Sequence, residues 1–245
     1  MASPVALITG SARRIGASIA RTLHGHGLRV IIHYHHSADE ALALADDLNR
    51  QRPDSACLLQ ADLDRPEAVR ELASQAQACF DRLDLLVNNA SRFYPTPIGQ
   101  ASDEDWERLV HSNMRAPFIL SQALAPALAA SHGSIINIVD IYAEKPLREH
   151  TLYCMAKAGL AMMTRSLARE LGPAVRVNGV SPGPILWPEN GQDNQQAIQQ
   201  STALKRCGQP QDIADAVYWL SQQAGFVTGQ ILAVDGGRSL SYSQG

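Results

Sequence analysis

The sequence predicts an α/β fold: a doubly wound parallel sheet of about seven strands with helices on both faces. Two observations predict it. Seven short apolar runs alternate with longer stretches of helical spacing. Such alternation implies parallel strands, and right-handed crossovers then wind the helices onto both faces. The second observation is size. A chain of 245 residues, 45% hydrophobic and 18% charged, suits one large core, and no repeat, low-complexity stretch or linker divides it. The expected domain is therefore 1–245.

The strands are predicted in order at Val5–Thr9, Arg29–His33, Ala56–Gln60, Leu83–Val87, Ser134–Val139, Val175–Val180 and Ile231–Val234. Helical stretches separate the first six, and two shorter ones lie before the last. The first strand runs straight into a glycine turn, TGSARRIG, residues 9–16. After the second strand, Ser37-Ala38-Asp39-Glu40 reads as a capping box for the next helix. After the sixth, Ser181–Gln200 is rich in Pro, Gly, Asn and Gln, at the edge where such sheets bind ligands. It is predicted to be a mobile flap, with an ordinary surface loop as the alternative.

The formal net charge is −3, with no long run of one sign, which argues against nucleic acid or an anionic membrane as the main partner. The four cysteines (Cys57, Cys79, Cys154 and Cys207) lack metal-ligand spacing. They are expected to be reduced and mostly buried, as in a cytoplasmic protein. No stretch is long and apolar enough to span a bilayer, and the chain enters its first strand without a basic leader, so no signal peptide is expected.

A glycine turn opening a helix is a pyrophosphate site, because backbone N–H groups and the helix dipole face the anion. Gly10 permits the turn and Gly16 lets the helix pack closely, while Arg13 and Arg14 suit phosphates. The second strand ends in His33-Tyr34-His35-His36-Ser37, without the acidic residue that reads a ribose 2′-hydroxyl. Arg13, Ser37 and His36 would instead donate to a 2′-phosphate, which favours NADP(H) over NAD(H). Successive strand residues face opposite ways, so the histidine run is not expected to bind metal.

In these pieces the sequence resembles the short-chain dehydrogenase/reductase family over essentially its whole length. The matching motifs are TGSARRIG (9–16), ADL (61–63), NNAS (88–91), Asn113, YCMAK (153–157), SPGP (181–184) and VDGG (234–237), in the family's order and spacing. The resemblance implies a Rossmann-type cofactor site formed by Gly10, Arg13, Arg14, Ile15, His33, Tyr34, His35 and Ser37. It implies that Asp62 and Leu63 flank the adenine, that Asn88, Asn89 and Ala90 line the ribose and support the sheet, and that Pro182 and Gly183 lie beside the nicotinamide. Tyr153 would be the proton donor. Lys157 would hold the nicotinamide ribose and depress the tyrosine pKa, and Asn113 would order a water for proton relay. Tyr153 and Lys157 stand four apart, hence on one helical face. Members are usually homotetramers, and Phe226–Leu240 resembles their interface, which implies a homotetramer here.

Four departures narrow the resemblance to the pteridine reductases. Arg14 takes the place of a glycine, and Asp140 that of the usual catalytic serine. NNAS continues into Arg92-Phe93-Tyr94-Pro95-Thr96-Pro97. SPGP continues into Ile185-Leu186-Trp187 without the usual threonine. His36, often arginine in that subgroup, is a mismatch. The implied activity is NADPH-dependent reduction of a pterin or folate ring. Phe93 would stack on the substrate, Arg14 would reach its polar edge, Ser91 would hydrogen-bond its pyrimidine part and Trp187 would cover its tail. Tyr94 is read as structural. An ionised Asp140 accepts hydrogen bonds and cannot donate one, so it suits a C=N bond better than a ketone. Its plainer alternative is a cap on the strand end. Two other functions stay open: a carbonyl reductase of the same family, and a non-enzymatic NADP-binding sensor.

Overall fold

The computed structural model describes residues 3–185 and 195–240. The chain runs β1 (Val5–Ile8), α1 (Arg14–Gly25), β2 (Arg29–Tyr34), α2 (Ala38–Gln51), β3 (Ala56–Gln60), α3 (Pro66–Phe80), β4 (Leu85–Asn88), α4 (Asp103–Val110), α5 (Ala116–Ala130), β5 (Ser134–Ile138), α6 (Thr151–Leu171), β6 (Arg176–Pro182), α7 (Gln195–Ser201), α8 (Pro210–Tyr218) and β7 (Ile231–Val234). The strands form one seven-stranded parallel sheet, ordered β3-β2-β1-β4-β5-β6-β7. This is the architecture the alternating pattern predicted. The order reverses between β1 and β4, and that switch point opens a crevice beyond the carboxyl ends of the strands.

Alternation along each strand builds a core on both faces. In β1, Ala6 and Ile8 pack with Ile19 and Leu23 of α1, Leu44 and Leu48 of α2, and Val217 of α8. Val5 and Leu7 point the other way, onto Leu72 of α3, Leu120 and Leu124 of α5 and Leu167 of α6. Both faces are covered by helices, so the strands read as near-continuous apolar runs. Between α4 and α5 the helix widens into a π-turn, His111–Arg115, a local expansion that occurs often at functional sites.

The sequence reading needs correction in three places. The fourth strand begins at Leu85, two residues later than predicted; Asp84 precedes it and bonds Val5 twice, its N–H donating to the Val5 carbonyl at 2.9 Å and its carboxylate accepting the Val5 N–H at 2.8 Å. Ser37 precedes α2, but its hydroxyl makes no capping bond, so the predicted capping box does not form. Cys57 of β3 and Cys79 of α3 are joined as a disulfide, so the expectation of four reduced, mostly buried thiols fails. Cys154 and Cys207 are free, and of the four only Cys154 is buried. Residues 22 positions apart in sequence meet here because α3 packs back onto its own strand, which spacing alone does not reveal.

Candidate active site

The glycine turn is held from below by three neighbours. Gly10 has φ of 62°, a conformation that favours glycine, and a side chain there would meet Ala90. A Cβ on Gly16 would fall 2.4 Å from the Gly10 carbonyl, so close helix–turn packing requires glycine. Thr9 accepts from the N–H groups of Asn89 and Ala90 at 2.9 and 3.0 Å. The Asn89 amide donates back to the carbonyls of Thr9 and Gly10 at 2.8 and 3.1 Å. Ile15 packs on the core below the turn, and exposed Arg14 adopts φ of 55° at the family's glycine position. An arginine tolerates that conformation at some cost in strain.

His33 lies beneath the turn, buried. Its Nδ1 accepts from the Gly10 N–H at 3.0 Å and its Nε2–H donates to the Ala61 carbonyl at 3.2 Å. Burial pushes its pKa down to about 4, so the ring is neutral and serves as a strut. The predicted cofactor role is thus displaced from contact to support of Gly10. Tyr34 packs on the core below, and His35 lies against His36, ring centroids 3.6 Å apart, with Nε2 3.9 Å from Asp62 Oδ1. Arg13 faces solvent and pairs with Glu40 at 3.4 Å. Leu63 is at the buried edge of the neighbouring loop.

At β4 the Asn88 amide donates to Asn137, whose amide donates to Thr164, at 2.8 and 2.9 Å. This buried chain of side chains ties β4, β5 and α6 together beneath the catalytic end. Asn113, in the π-turn, donates to the carbonyls of Arg92 and Leu109 and accepts from the Ser91 hydroxyl at 2.6 Å. Phe93 is 46% exposed, edge-on to Tyr153 (4.9 Å between centroids) and stacked on His150 at 4.6 Å and 18°. Tyr94 packs beneath, in the cluster of Leu109, Tyr153 and Cys154, consistent with the structural role read for it.

The residues predicted to be catalytic converge at the end of β5. Asp140 follows β5 and caps the short turn after it, Oδ1 accepting the Tyr142 N–H at 2.9 Å. Its Oδ2 accepts the Tyr153 hydroxyl at 2.7 Å. The two readings of Asp140, strand-end cap and partner of the tyrosine, are both realised, one oxygen each. Tyr153 and Lys157 share the buried face of α6. Lys157 donates to the Ile138 carbonyl at 2.9 Å, and its ammonium lies 5.7 Å from the Tyr153 ring centre.

The electrostatics differ from the sequence expectation. Burial first, then the Asp140 charge and hydrogen bond, raise the Tyr153 pKa well above that of a free phenol, with a nearby Ser91 hydroxyl pulling weakly the other way. The predicted depression by Lys157 does not appear in the polypeptide alone, because the nearest charge to the phenol is the carboxylate. Burial likewise raises Asp140, against the Tyr142 N–H, Tyr153 and Lys157. Burial lowers Lys157 to about 8. The arrangement is a phenol that keeps its proton, hydrogen-bonded to a carboxyl that is drawn toward taking one.

Pro182 ends β6 on the same edge, and Gly183 approaches Asp235 so closely that a Cβ would lie 2.6 Å from its Cα. Of the predicted substrate residues, Ser91, Phe93, Asp140 and Tyr153 form one connected cluster. Trp187 and the middle of the predicted flap lie outside the described residues. Sequence reasoning missed His150, whose stacking on Phe93 spans the insertion and α6 and leaves no local signal. It also missed Thr9 as the brace of the turn and the Asp64–Arg92 pair, at 2.6 Å. Thr9 stood in the quoted turn, and only its neighbours in space give it a role.

The residues fit a nicotinamide dinucleotide. The glycine cradle lies at a helix N-terminus on the switch point. Lys157 is buried with three donors and spends one on Ile138, leaving two for hydroxyl acceptors. The fold and site thus define a dinucleotide-dependent oxidoreductase. A family model described as enoyl-(acyl carrier protein) reductase matches residues 10–239. Pteridine reductase 1 of Leishmania tarentolae is 38% identical, over 98% of this chain and 97% of its own. A short-chain type dehydrogenase/reductase of Picea abies is 33% identical over 96% and 92%. Trans-4-hydroxycyclohexanecarboxylate dehydrogenase of Sinomonas cyclohexanicum is 34% identical over 98% and 94%. The chain belongs to the short-chain dehydrogenase/reductase family. No helix among the described residues is long and apolar enough to cross a membrane.

Proposed function

We propose that the chain is an NADPH-dependent pteridine reductase acting on a C=N bond of a dihydropterin, of the dihydrobiopterin, dihydromonapterin or dihydrofolate type. The observation that carries the reading is the 2.7 Å hydrogen bond from Tyr153 to Asp140, beside the half-exposed ring of Phe93. A ketone reductase needs a donor at that position, aimed at the developing alkoxide. An acceptor there turns the phenol away from an oxyanion role and suits a flat ring with N–H groups. The Leishmania relative supports the same reading, and the dehydrogenase named for a hydroxy acid favours the alternative, a carbonyl reductase.

Bound at the glycine turn, the reduced dinucleotide supplies the hydride. Lys157 holds the ribose hydroxyls, and Phe93 with Ser91 orients the substrate ring. Tyr153 gives its proton to the ring nitrogen as the adjacent carbon gains hydride, and Asp140 takes a proton from solvent and passes it to the phenolate, restoring the phenol and the carboxylate. Each turnover thus adds one C–H and one N–H bond and consumes one proton. The 2′-phosphate preference rests on Arg13 and Ser37. The Arg13–Glu40 pair is exposed and weak, so a phosphate can compete for the guanidinium, and the Ser37 hydroxyl makes no capping bond. Assembly as a homotetramer belongs to the same reading, supported by exposed Phe226, Leu232 and Leu240 near the C-terminal end.

The test is NADPH consumption with dihydrobiopterin and dihydrofolate against a panel of quinones and ketones. Pterin turnover is expected. Turnover of ketones without pterins would replace the reading with the carbonyl reductase. Tight NADPH binding with no turnover would replace it with a sensor.

A further inference from the structure

Arg92 stands between the two residues assigned to the substrate, Ser91 and Phe93, yet its side chain leaves the substrate side. Its guanidinium Nη2 donates to Asp64 Oδ2 at 2.6 Å, joining loops 28 residues apart. Asp64 is itself fixed by two further contacts. Its N–H donates to Asp62 Oδ1 at 3.0 Å, and its carbonyl accepts from His111 Nδ1 at 3.1 Å. Arg115 donates to the other nitrogen of His111 at 2.9 Å, which sets the tautomer. His111 and Arg115 are the first and last residues of the π-turn. Within that turn Asn113 closes the ring of contacts, donating to the Arg92 carbonyl at 2.9 Å and accepting from Ser91 at 2.6 Å.

We infer that Arg92 is a positioning residue that couples occupancy of the adenine side, residues 62–63, to the arrangement of the substrate loop, residues 91–97. As a single, partly solvated ion pair the Arg92–Asp64 contact contributes modestly to stability. Its position gives it a different effect. The backbone of Arg92 is held by Asn113 on one side and by Asp64 through its own side chain on the other. A ligand that orders the 62–64 loop therefore narrows the conformations of Ser91 and Phe93 without touching them. Reciprocity follows, because a substrate that orders 91–97 must tighten adenine binding by the same factor.

The inference rests on the adenine assignment of residues 62–63 and needs no particular substrate. It is tested with 2′-phospho-ADP-ribose, the adenine half of the cofactor alone, by hydrogen exchange of the full chain. In the wild type this probe is expected to slow exchange at 9–16, at 62–64 and also at 92–97, the last by about fivefold, the low end of usual intersite coupling. In Arg92→Ala, and independently in Asp64→Ala, slowing at 9–16 persists and slowing at 92–97 is lost. Persistence of the effect at 92–97 in either variant overturns the inference. So does loss at 9–16 as well, which would make Arg92 a general support of the fold, and so does unfolding of both variants. Absence of slowing at 62–64 in the wild type overturns it together with the adenine assignment. Failure of pterin turnover alters none of these outcomes, so the two claims fail separately.

Discussion

The ends of β2 and β5 each carry an ionisable side chain withdrawn from water, and the two are put to opposite uses. His33 has both ring nitrogens paired with backbone groups, and its lowered pKa keeps it neutral through the physiological range. Nothing about it is left to transfer. Asp140 spends one oxygen on a backbone N–H and the other on a phenol, and burial raises its pKa toward a proton it can hold. Burial alone therefore does not mark a catalytic group. The difference is whether the partner can itself gain or lose a proton: Gly10 and Ala61 cannot, and Tyr153 can.

The comparison breaks first at Tyr153. Phe in its place removes the proposed proton donor, and turnover is expected to fall about 10³-fold with NADPH affinity retained, measured by steady-state kinetics and fluorescence titration. An unchanged rate would mean the proton comes from elsewhere. Asp140→Ser should cost about 10²-fold in pterin reduction, again without loss of cofactor binding. It should also move the alkaline limb of the pH–rate profile. Reduction needs charged Lys157, at about 8, and protonated Tyr153, and the Asp140 charge raises both pKa values. Activity in the wild type should decline above about pH 8, and removing the carboxylate should shift that decline to lower pH. A shift to higher pH would show that Asp140 is not the charge governing the limb.

On the structural side, His33→Leu leaves the Gly10 N–H without its acceptor. A loss of about 2 kcal/mol in urea unfolding is expected, with weaker cofactor binding. The sign of the pH effect is fixed by the depressed pKa. Between pH 4 and 6.5 the unfolded chain binds the proton and the folded chain does not. The His33 contribution is therefore complete above 6.5 and is lost as pH falls toward 4, and the variant should lack this component. The smallest effect is expected at Arg13. Arg13→Ala should reduce the preference for NADPH over NADH by about tenfold, the worth of one charge-assisted hydrogen bond, read from the ratio of kcat/KM values. An unaltered ratio would remove Arg13 from the phosphate site.

The fold was legible because both faces of the sheet are covered. Short β-branched runs such as Ile135-Ile136 and Val30-Ile31-Ile32 read as buried strands, and the glycine turn points to the edge expected to bind ligand. Strand ends were less legible: Leu83 is buried like the strand residues, yet the strand itself begins at Leu85, and burial alone does not mark the difference. In the site, Tyr153 and Lys157 were readable from their spacing on one helix. Asp140 was readable because it departs from a pattern. The charge balance was not. The raised pKa of Tyr153 comes first from burial and then from a 2.7 Å contact across 13 residues, and spacing places the lysine near the phenol without revealing either. His150 and the Cys57–Cys79 bond were hidden for the same reason, since both are contacts between segments with no shared motif.

The central claim is that an acceptor at position 140 directs this site to a C=N bond. The most direct measurement is the ratio of kcat/KM for dihydrobiopterin to that for a small ketone, in the wild type and in Asp140→Ser. The ratio is predicted to favour the pterin in the wild type and to fall in the variant, because serine restores a donor for a carbonyl oxygen. A ratio that is the same in both proteins, or that rises in the variant, would contradict the account.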